Sequence, residues 1–444
     1  MHNAGKKMMK MINNDKLFLG ENAVFPADPE LTGINANVAV VGGTGTGKTV
    51  SCVLPMLLHN TDASMVIPVS KKKIIYQTKD VLEANGYNVQ IIDFSKGEST
   101  IGFNPMAYLK DDNDVANMAH ALVGTQKHED KYWEDVSADV ISAMLCLALY
   151  LCKDNPEMTP NLSHFMENYK MLFKGRLKTG SHFDQRISFD QNTNDAGFDI
   201  NTLNSLFQKL EEEYPNNYGS ACWNSIAFDS DKTFSSIKSV TNSAVSKITE
   251  SVVALSKRPD TIDLEKLGKE KTALFLLTSP FDHKVTEYVN LFYSMLIERL
   301  MRMAEDNPDG CLDVPVRIVF DDFACGTRIS DFEKHISIFR AAGISVMLLL
   351  QSESQLEAMY ERAGAATILN NCDTYVYMGG NDVQTCRDVA DKCNKDLNSI
   401  LNMDLHRVII FRRGSEPVFT MRYPTYEDEA FKNMERRVQH DVCP

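Results

Sequence analysis

Residues 38 to 49 read VAVVGGTGTGKT, an apolar run that leads directly into a glycine-rich loop. Its second part has the GxxxxGK[ST] spacing of a phosphate-binding loop and consists of Gly42, Gly43, Thr44, Gly45, Thr46, Gly47, Lys48 and Thr49. An apolar run precedes the loop, and the helix-compatible segment SCVLPMLLHN follows it. The glycines allow backbone N–H groups to turn toward a phosphate, and the start of the helix adds the positive end of its dipole. A glycine-rich turn that matches the spacing by chance is the alternative interpretation.

Two side chains at the end of this loop carry its expected chemistry. Lys48 is predicted to place its charge between the β- and γ-phosphates of ATP, and Thr49 to offer its hydroxyl to Mg²⁺. Pro55 lies in the segment that follows, and we expect it to kink that helix or end it early. The loop itself is unaffected, because the dipole of a helix acts only near its first turn.

Apolar runs without polar alternation recur along the chain, separated by helix-like stretches. Such runs are typical of strands that are covered on both faces, so they predict an α/β fold with a mainly parallel central sheet. The runs are Asn37–Val41, Ser64–Val69, Asn88–Phe94, Thr272–Thr278, Val316–Asp321, Ile344–Leu350, Thr374–Met378 and Arg407–Phe411.

The strand pattern stops between about residues 111 and 262, where apolar residues recur at helical spacing. We therefore predict an all-helical inserted domain over 111–262. The nucleotide-binding domain is then discontinuous, with parts at 36–110 and 263–444, and residues 1–35 form a lead-in segment.

Composition narrows the possible functions and the cellular compartment. The chain has 46 Lys and Arg against 60 Asp and Glu, a formal net charge of -14, so any nucleic-acid contact has to come from a local patch or a ring of subunits. Its ten cysteines show neither a disulfide framework nor zinc-ligand spacing, which indicates a reducing compartment. The most apolar run, Val140 to Cys152, is shorter than the roughly 20 residues that span a bilayer.

A phosphate-binding loop needs a carboxylate at the end of a neighbouring buried strand. The run Arg317 to Phe320 ends in Asp321 and Asp322, and two adjacent acids at a strand end are costly without a cation. We predict that Asp321 contacts Mg²⁺ through water and that Asp322 acts as base or positions the attacking water. Asp93, near the end of VQIIDF (89–94), is the competing candidate for the metal partner, although a single acid there is more typical of a cap.

Gln351 follows the run Ile344–Leu350 directly. An amide at the tip of a strand beside the loop can hydrogen-bond a γ-phosphate or the attacking water and so sense which nucleotide is bound. A polar residue that caps the next helix is an equally good interpretation.

Several longer segments resemble the conjugative type IV coupling proteins, the TraG/TraD-like DNA-transfer ATPases, and their Gram-positive branch in particular. The likeness is spread over most of the chain after residue 36. It includes FNP (103–105), Trp133-Glu134, DDFACGTRISDFEKHISIFRAAGISVMLLLQSESQLEAMY (321–360), ILNNCDTYVYMGGNDVQT (368–385) and VIIFRRGSEPVF (408–419).

The resemblance implies a RecA-like P-loop NTPase with an inserted all-helical domain, assembled as a hexameric ring around a DNA passage. Arg340 falls at the family's arginine finger, which reaches the ATP of the neighbouring subunit, and Gln351 falls at its sensor glutamine. A cation supplied in trans makes hydrolysis depend on assembly. Pairing of Arg340 with Asp331 or Glu333 is the alternative.

As a function, the resemblance implies an ATP-driven motor that delivers relaxase-bound DNA, expected to be single-stranded, to a type IV secretion channel. Relatives have Glu where this chain has Asp322, so a nucleotide-gated docking platform with little turnover stays open, as does a double-stranded DNA pump of the HerA or FtsK type. The membrane-spanning helices of most relatives have no counterpart, so we expect a cytoplasmic protein recruited to the membrane through a partner. The acidic balance suggests docking of a basic relaxase.

Overall fold

The structure is a computed structural model, and it describes residues 13–70, 72–95, 99–124, 131–153, 158–174, 200–226, 231–278, 283–321, 323, 328–329 and 331–442. Within these residues the chain forms two compact units. The first consists of residues up to Asp93, Asp263–Asp282 and Leu296 onward, and the second of Phe94–Ile262 and His283–Met295.

The first unit is built on a nine-stranded sheet with the order β11-β10-β9-β3-β8-β7-β4-β6-β5, while β1 and β2 form a separate hairpin. All neighbours from β9 to β5 are parallel, and β10 and β11 extend the sheet with antiparallel pairs. The strands are β1 (Lys16–Gly20), β2 (Ala23–Pro26), β3 (Val38–Val41), β4 (Ser64–Val69), β5 (Asn88–Asp93), β6 (Thr272–Leu277), β7 (Val316–Phe320), β8 (Ile344–Leu350), β9 (Thr374–Tyr377), β10 (Arg407–Arg412) and β11 (Val418–Met421).

The helices cover the sheet in the first unit and make up the second. They are α1 (Pro29–Thr32), α2 (Leu54–His59), α3 (Lys72–Ala84), α4 (Asp112–Val123), α5 (Lys131–Lys153), α6 (Leu162–Lys174), α7 (Ile200–Glu213), α8 (Tyr218–Ser225), α9 (Asp231–Val245), α10 (Glu250–Ser256), α11 (His283–Asp306), α12 (Phe332–His335), α13 (Phe339–Ala342), α14 (Glu353–Asn370), α15 (Val383–Cys393), α16 (Leu397–Leu401) and α17 (Glu429–Val442).

The predicted α/β fold with a mainly parallel sheet is confirmed, and all eight apolar runs are strands of that sheet. The central strands β3, β6 and β7 are buried along their whole length, which explains the absence of polar alternation in their sequences. The strands β1, β2 and β11 were not predicted. The burial of β11 alternates between half-buried and exposed residues, so its sequence carries no continuous apolar signal.

The second unit is helical throughout its described residues, apart from an isolated parallel bridge between Gly102 and Thr261. It begins at Phe94 and takes in the first half of α11, so it is larger than the segment 111–262 expected from the sequence. The apolar run Val140 to Cys152 lies within α5. The span Tyr132–Lys153 of that helix is long and apolar enough to cross a membrane, contrary to the expectation from the run alone, but 67% of its most apolar window is buried in the protein.

Pro55 does not end the helix after the phosphate-binding loop. The helix opens with a π-helical turn over Thr49–Val53 and continues as α2 to His59, so Pro55 lies in the first turn of α2. A proline donates no backbone hydrogen bond, which leaves a carbonyl of the preceding turn without its helical partner. The carbonyl of Val50 accepts a hydrogen bond from Thr425 Oγ1 at 2.8 Å instead.

An acid, Asp15, and an arginine, Arg317, are both buried where the N-terminal hairpin meets the sheet, and the charge of the acid acts on the arginine. Asp15 is 3% exposed and accepts hydrogen bonds from the backbone N–H groups of Thr61, Asp62 and Ala63 at 2.8 to 3.0 Å. Arg317 of β7 is 2% exposed, and its Nε donates to Ser345 Oγ at 3.1 Å. Burial lowers the pKa of the Arg317 guanidinium, and the negative charge of Asp15 opposes that shift.

Replacing Asp15 by alanine is therefore expected to lower the free energy of unfolding by about 3 kcal/mol, because three backbone N–H groups lose their acceptor and the buried Arg317 guanidinium loses a nearby negative charge. Urea denaturation followed by circular dichroism measures the change. The matched control is Asp309→Ala at an exposed acid, which should alter stability by no more than about 0.5 kcal/mol. Equal stability of the two variants would contradict this account of the pair.

Candidate functional site

The candidate residues meet at one edge of the sheet because three neighbouring parallel strands end there. The phosphate-binding loop follows β3, Gln351 follows β8 and Asp321 follows β7, and these strands lie side by side in the order β3-β8-β7. Parallel strands present their carboxyl ends at the same edge, which is where open α/β sheets bind ligands.

Backbone hydrogen bonds hold the loop to the two strands beside β3. The N–H of Gly42 donates to Leu350 O at 3.0 Å, and the N–H of Gly43 donates to Gly379 O at 2.8 Å. A Cβ atom on Gly42 would lie 2.7 Å from Thr46 Oγ1 and 2.9 Å from Met378 Cβ, so only glycine fits there.

Two further glycines allow the backbone of the loop to turn. Gly45 and Gly47 both have φ of +78°, in the left-handed region that favours glycine. A Cβ atom on Gly47 would also lie 3.2 Å from Nη1 of Arg422. These positions match the sequence-based reason for glycine in a phosphate-binding loop.

Lys48 is 8% exposed, and its ammonium group lies within the loop. Nζ donates to the carbonyl of Gly42 at 2.6 Å and to that of Gly43 at 3.3 Å. Thr46 closes the same turn, since its Oγ1 donates to Gly43 O at 2.9 Å. The one charged group of the loop is thus fixed where a bound phosphate chain would pass.

These groups line a single pocket of about 290 Å³. Its walls are the loop from Thr44 to Val50, together with Asp321 and Gln351. Lys48, Thr49 and the first strand-end acid therefore share one cavity, as the sequence-based hypothesis requires. The role of each residue in that cavity stays a prediction.

The structure describes only the first of the two strand-end acids. Asp321 is exposed in the turn after β7 and faces the pocket, whereas Asp322 lies outside the described residues. The competing acid, Asp93, ends β5, five strands away from β3. It is completely buried, with Lys72 Nζ at 3.8 Å, so it has no part in this pocket.

Gln351 lines the pocket, and the following helix has a different cap. Ser352 is the N-cap of α14, with its Oγ accepting from the N–H of Gln355 at 3.3 Å. Gln351 Oε1 lies 3.5 Å from Thr44 Oγ1 and 3.5 Å from Gln355 Nε2, both at the outer limit of a hydrogen bond. The capping interpretation of Gln351 is therefore wrong, and the sensor role stays a prediction.

Arg340 lies at the opposite edge of the sheet. It belongs to α13, which precedes the amino end of β8, and its exposed guanidinium donates to the carbonyls of Gly33 at 3.1 Å and Pro29 at 3.4 Å. Asp331 pairs with Lys334, and Glu333 pairs with Arg328, so neither acid is the partner of Arg340. The alternative of pairing with those acids is wrong.

Sequence reasoning missed Arg422 and Thr425, which follow β11 and contact the loop and its helix. Their relation to the loop arises because β11 runs antiparallel to β10 and returns to the edge where β3 ends. The hairpin topology is needed to place them, and no motif marks either residue.

The donor groups fit Mg²⁺ and a nucleoside triphosphate. A hydroxyl from Thr49 and a carboxylate from Asp321 are the oxygen ligands that Mg²⁺ prefers, and both line the pocket beside the loop amides. No cluster of three or more His, Cys, Asp or Glu side chains that could hold a metal ion occurs among the described residues.

Comparison with protein families gives one match over most of the chain. A family model described as "Type IV secretory system Conjugative DNA transfer" matches residues 2–396. Among curated proteins, none matches the sequence.

Solved structures with a similar fold include the bacterial conjugative coupling protein TrwBdeltaN70 in complex with sulphate. It has a TM-score of 0.63 and 16% sequence identity, over 89% of this chain and 86% of that chain. TrwB in complex with ADP and Mg²⁺ has a TM-score of 0.61 and 15% identity, over 89% and 88%. VirB4 of Thermoanaerobacter pseudethanolicus has a TM-score of 0.51 and 12% identity, over 93% and 97%. At these identities the likeness shows the fold, that of a RecA-like P-loop NTPase.

Proposed function

Since the chain belongs to the conjugative DNA transfer family of type IV secretory systems, we propose that it is an ATPase that drives DNA toward the secretion channel. Its function as a coupling protein in conjugation follows from membership of the family. Nucleotide hydrolysis, the identity of the DNA and the residues responsible are the parts that we propose.

One observation carries the proposal. Lys48, Thr49, Asp321 and Gln351 line a single pocket at the carboxyl ends of three adjacent strands. Lys48 is positioned to bind the β- and γ-phosphates, and its bonds to Gly42 O and Gly43 O are the ones a phosphate would replace. We place the γ-phosphate, and the water that attacks it, at the side of the pocket lined by Asp321 and Gln351.

The pocket contains oxygen ligands suited to Mg²⁺. When bound, Mg²⁺ would neutralise negative charge on the phosphates. Thr49 and Asp321 would hold it, and Asp322 would orient the attacking water. TrwB has been solved with ADP and Mg²⁺ and with non-hydrolysable GTP and ATP analogues, which supports the same ligands here.

The remaining parts concern assembly and partners. A homo-hexamer would place phosphate-contacting residues of six copies around a DNA passage, which reconciles a net charge of -14 with DNA binding. We propose single-stranded DNA bound without sequence preference, a relaxase as cargo and secretion channel proteins as the membrane link. The protein then works at the inner face of the membrane.

The test is the ATPase rate of the purified protein with and without DNA. We expect single-stranded DNA to raise the rate severalfold, double-stranded DNA of equal nucleotide content to raise it less, and Asp321→Asn to remove most of the stimulated rate. Asp309→Asn, at an exposed acid away from the pocket, is the control. A rate that does not respond to DNA would refute the motor. ATP binding without turnover under any DNA condition would favour a nucleotide-gated docking platform instead.

A further inference from the structure

Arg422 approaches the phosphate-binding loop from the side opposite to Asp321. In the sheet, β9, β10 and β11 lie on one side of β3, whereas β8 and β7 lie on the other. The residue that follows β11 returns to the edge where β3 ends, since Met421 pairs with Arg407 at the start of the antiparallel β10. Nη1 of Arg422 then lies 3.2 Å from where a Cβ on Gly47 would be.

The guanidinium of Arg422 has no ionic partner among the residues that the structure describes. No described carboxylate lies within 4.0 Å of it, and its buried Nε makes no hydrogen bond to any described group. Burial lowers the pKa of this guanidinium, while the charge of Asp404 raises it from beyond ion-pair distance. Cys52 is no counter-ion, because burial raises the pKa of its thiol to about 12 and keeps it neutral.

The backbone on both sides of this cation is fixed. The N–H of Arg422 donates to His406 O at 2.8 Å, which ties it to the β10–β11 hairpin. Three residues later, Thr425 Oγ1 donates to the carbonyl of Val50, in the first turn after the loop. The Arg422 side chain is half-buried, and a partly desolvated cation without an ion-pair partner gains from an anion, so its fixed position beside a phosphate-binding loop is suited to one.

We propose that Arg422 binds the α-phosphate of the nucleotide held in its own subunit. This inference rests on the proposed function, in which the γ-phosphate lies toward Asp321 and Gln351. The nucleoside end of the same ligand then extends toward the β9–β11 side, past Gly47 and Val50, where the Arg422 guanidinium lies. Arg422 is thus a cation supplied in cis at the α-phosphate, distinct from one supplied in trans at the γ-phosphate.

The position predicts a particular kinetic signature. The α-phosphate is present in ATP, in ADP and in the transition state, and its charge changes little during hydrolysis. An interaction made equally in all three states affects binding and leaves the chemical step alone, so KM changes while kcat does not.

The test compares Arg422→Gln, Arg422→Lys and the control Arg413→Gln with the wild type. Arg413 is on the same hairpin, exposed, and paired with Asp373 at 3.4 Å. We expect Arg422→Gln to weaken both ADP and ATP about 10- to 100-fold in a fluorescent-nucleotide titration, with kcat at saturation unchanged within about twofold. Arg422→Lys should restore part of the affinity, and Arg413→Gln should leave it intact.

Thermal unfolding gives a second readout that needs no turnover. Without nucleotide, Arg422→Gln should melt no lower than the wild type, because it removes a half-buried charge that has no ion-pair partner among the described residues, and ADP should raise its Tm less. If the wild type binds nucleotide and the Arg422→Gln variant binds ADP equally tightly, this inference is wrong and the proposed function is unaffected. A wild type that binds no nucleotide would overturn the proposed function itself.

Discussion

Replacing Lys48 by alanine is expected to lower the ATPase kcat by about 10²- to 10³-fold, the usual cost of removing one preorganised donor from a site where charge develops. Lys48 is the charged side chain of the loop, it is 8% exposed, and its ammonium already lies against the loop carbonyls. No other lysine lines the described pocket, so none can substitute for it. A coupled assay at saturating ATP and single-stranded DNA measures the change.

The control for this substitution is Lys334→Ala. Lys334 is 74% exposed and pairs with Asp331 in a region away from the pocket, so its loss removes the same charge without touching the site. Its kcat should equal that of the wild type. If Lys48→Ala kept wild-type turnover, the observed rate would have to come from a contaminating enzyme or another site, and the proposed pocket would be wrong.

The parallel sheet could be predicted because its strands are buried on both faces and are therefore uniformly apolar. Val38–Val41 and Val316–Phe320 are examples, and the loop and Asp321 follow them directly. A residue that directly follows such a strand must lie at the strand's carboxyl end, so its edge of the sheet can be predicted from the sequence. Their shared pocket depends on the strand order β3-β8-β7, which the apolar runs do not determine.

Contacts made by segments without a strong pattern could not be predicted. The strand that carries Arg422 to the loop is short and half-exposed, and the charge of Asp15 acts on Arg317, which is more than 300 residues away in the sequence. Both depend on which chain segments are brought together by the folded sheet. Gln351 shows a second limit of sequence-based prediction. Two adjacent polar residues, Gln351 and Ser352, could each cap the following helix, and only the structure shows that Ser352 does so.

The position of Arg340 decides how it can act. It precedes the amino end of β8, and the pocket lies at the carboxyl end of the same seven-residue strand, about 20 Å away at 3.3 Å per residue. An arginine side chain cannot cover that distance. Its guanidinium is exposed and held only by two backbone carbonyls, so another copy of the chain can approach it. If Arg340 takes part in hydrolysis, it does so in the pocket of a neighbour.

Two inactive variants should therefore restore each other's activity. We expect Arg340→Ala alone to lose about 10³-fold or more in kcat, as an arginine finger does. In a ring assembled from equal amounts of Lys48→Ala and Arg340→Ala, about a quarter of the interfaces join an intact Lys48 to an intact Arg340 of the next subunit. The mixture should then regain up to that fraction of wild-type turnover, measured after co-assembly on DNA.

The control is a mixture of Lys48→Ala with the double variant Lys48→Ala/Arg340→Ala, in which no interface is complete and no rate should return. Activity in the first mixture alone would show that the two residues belong to one site made by two subunits. A cis role for Arg340 predicts that both mixtures stay inactive, and so does a purely structural role. Since its own pocket is about 20 Å away, restored turnover has one physical source, a guanidinium donated across the subunit boundary.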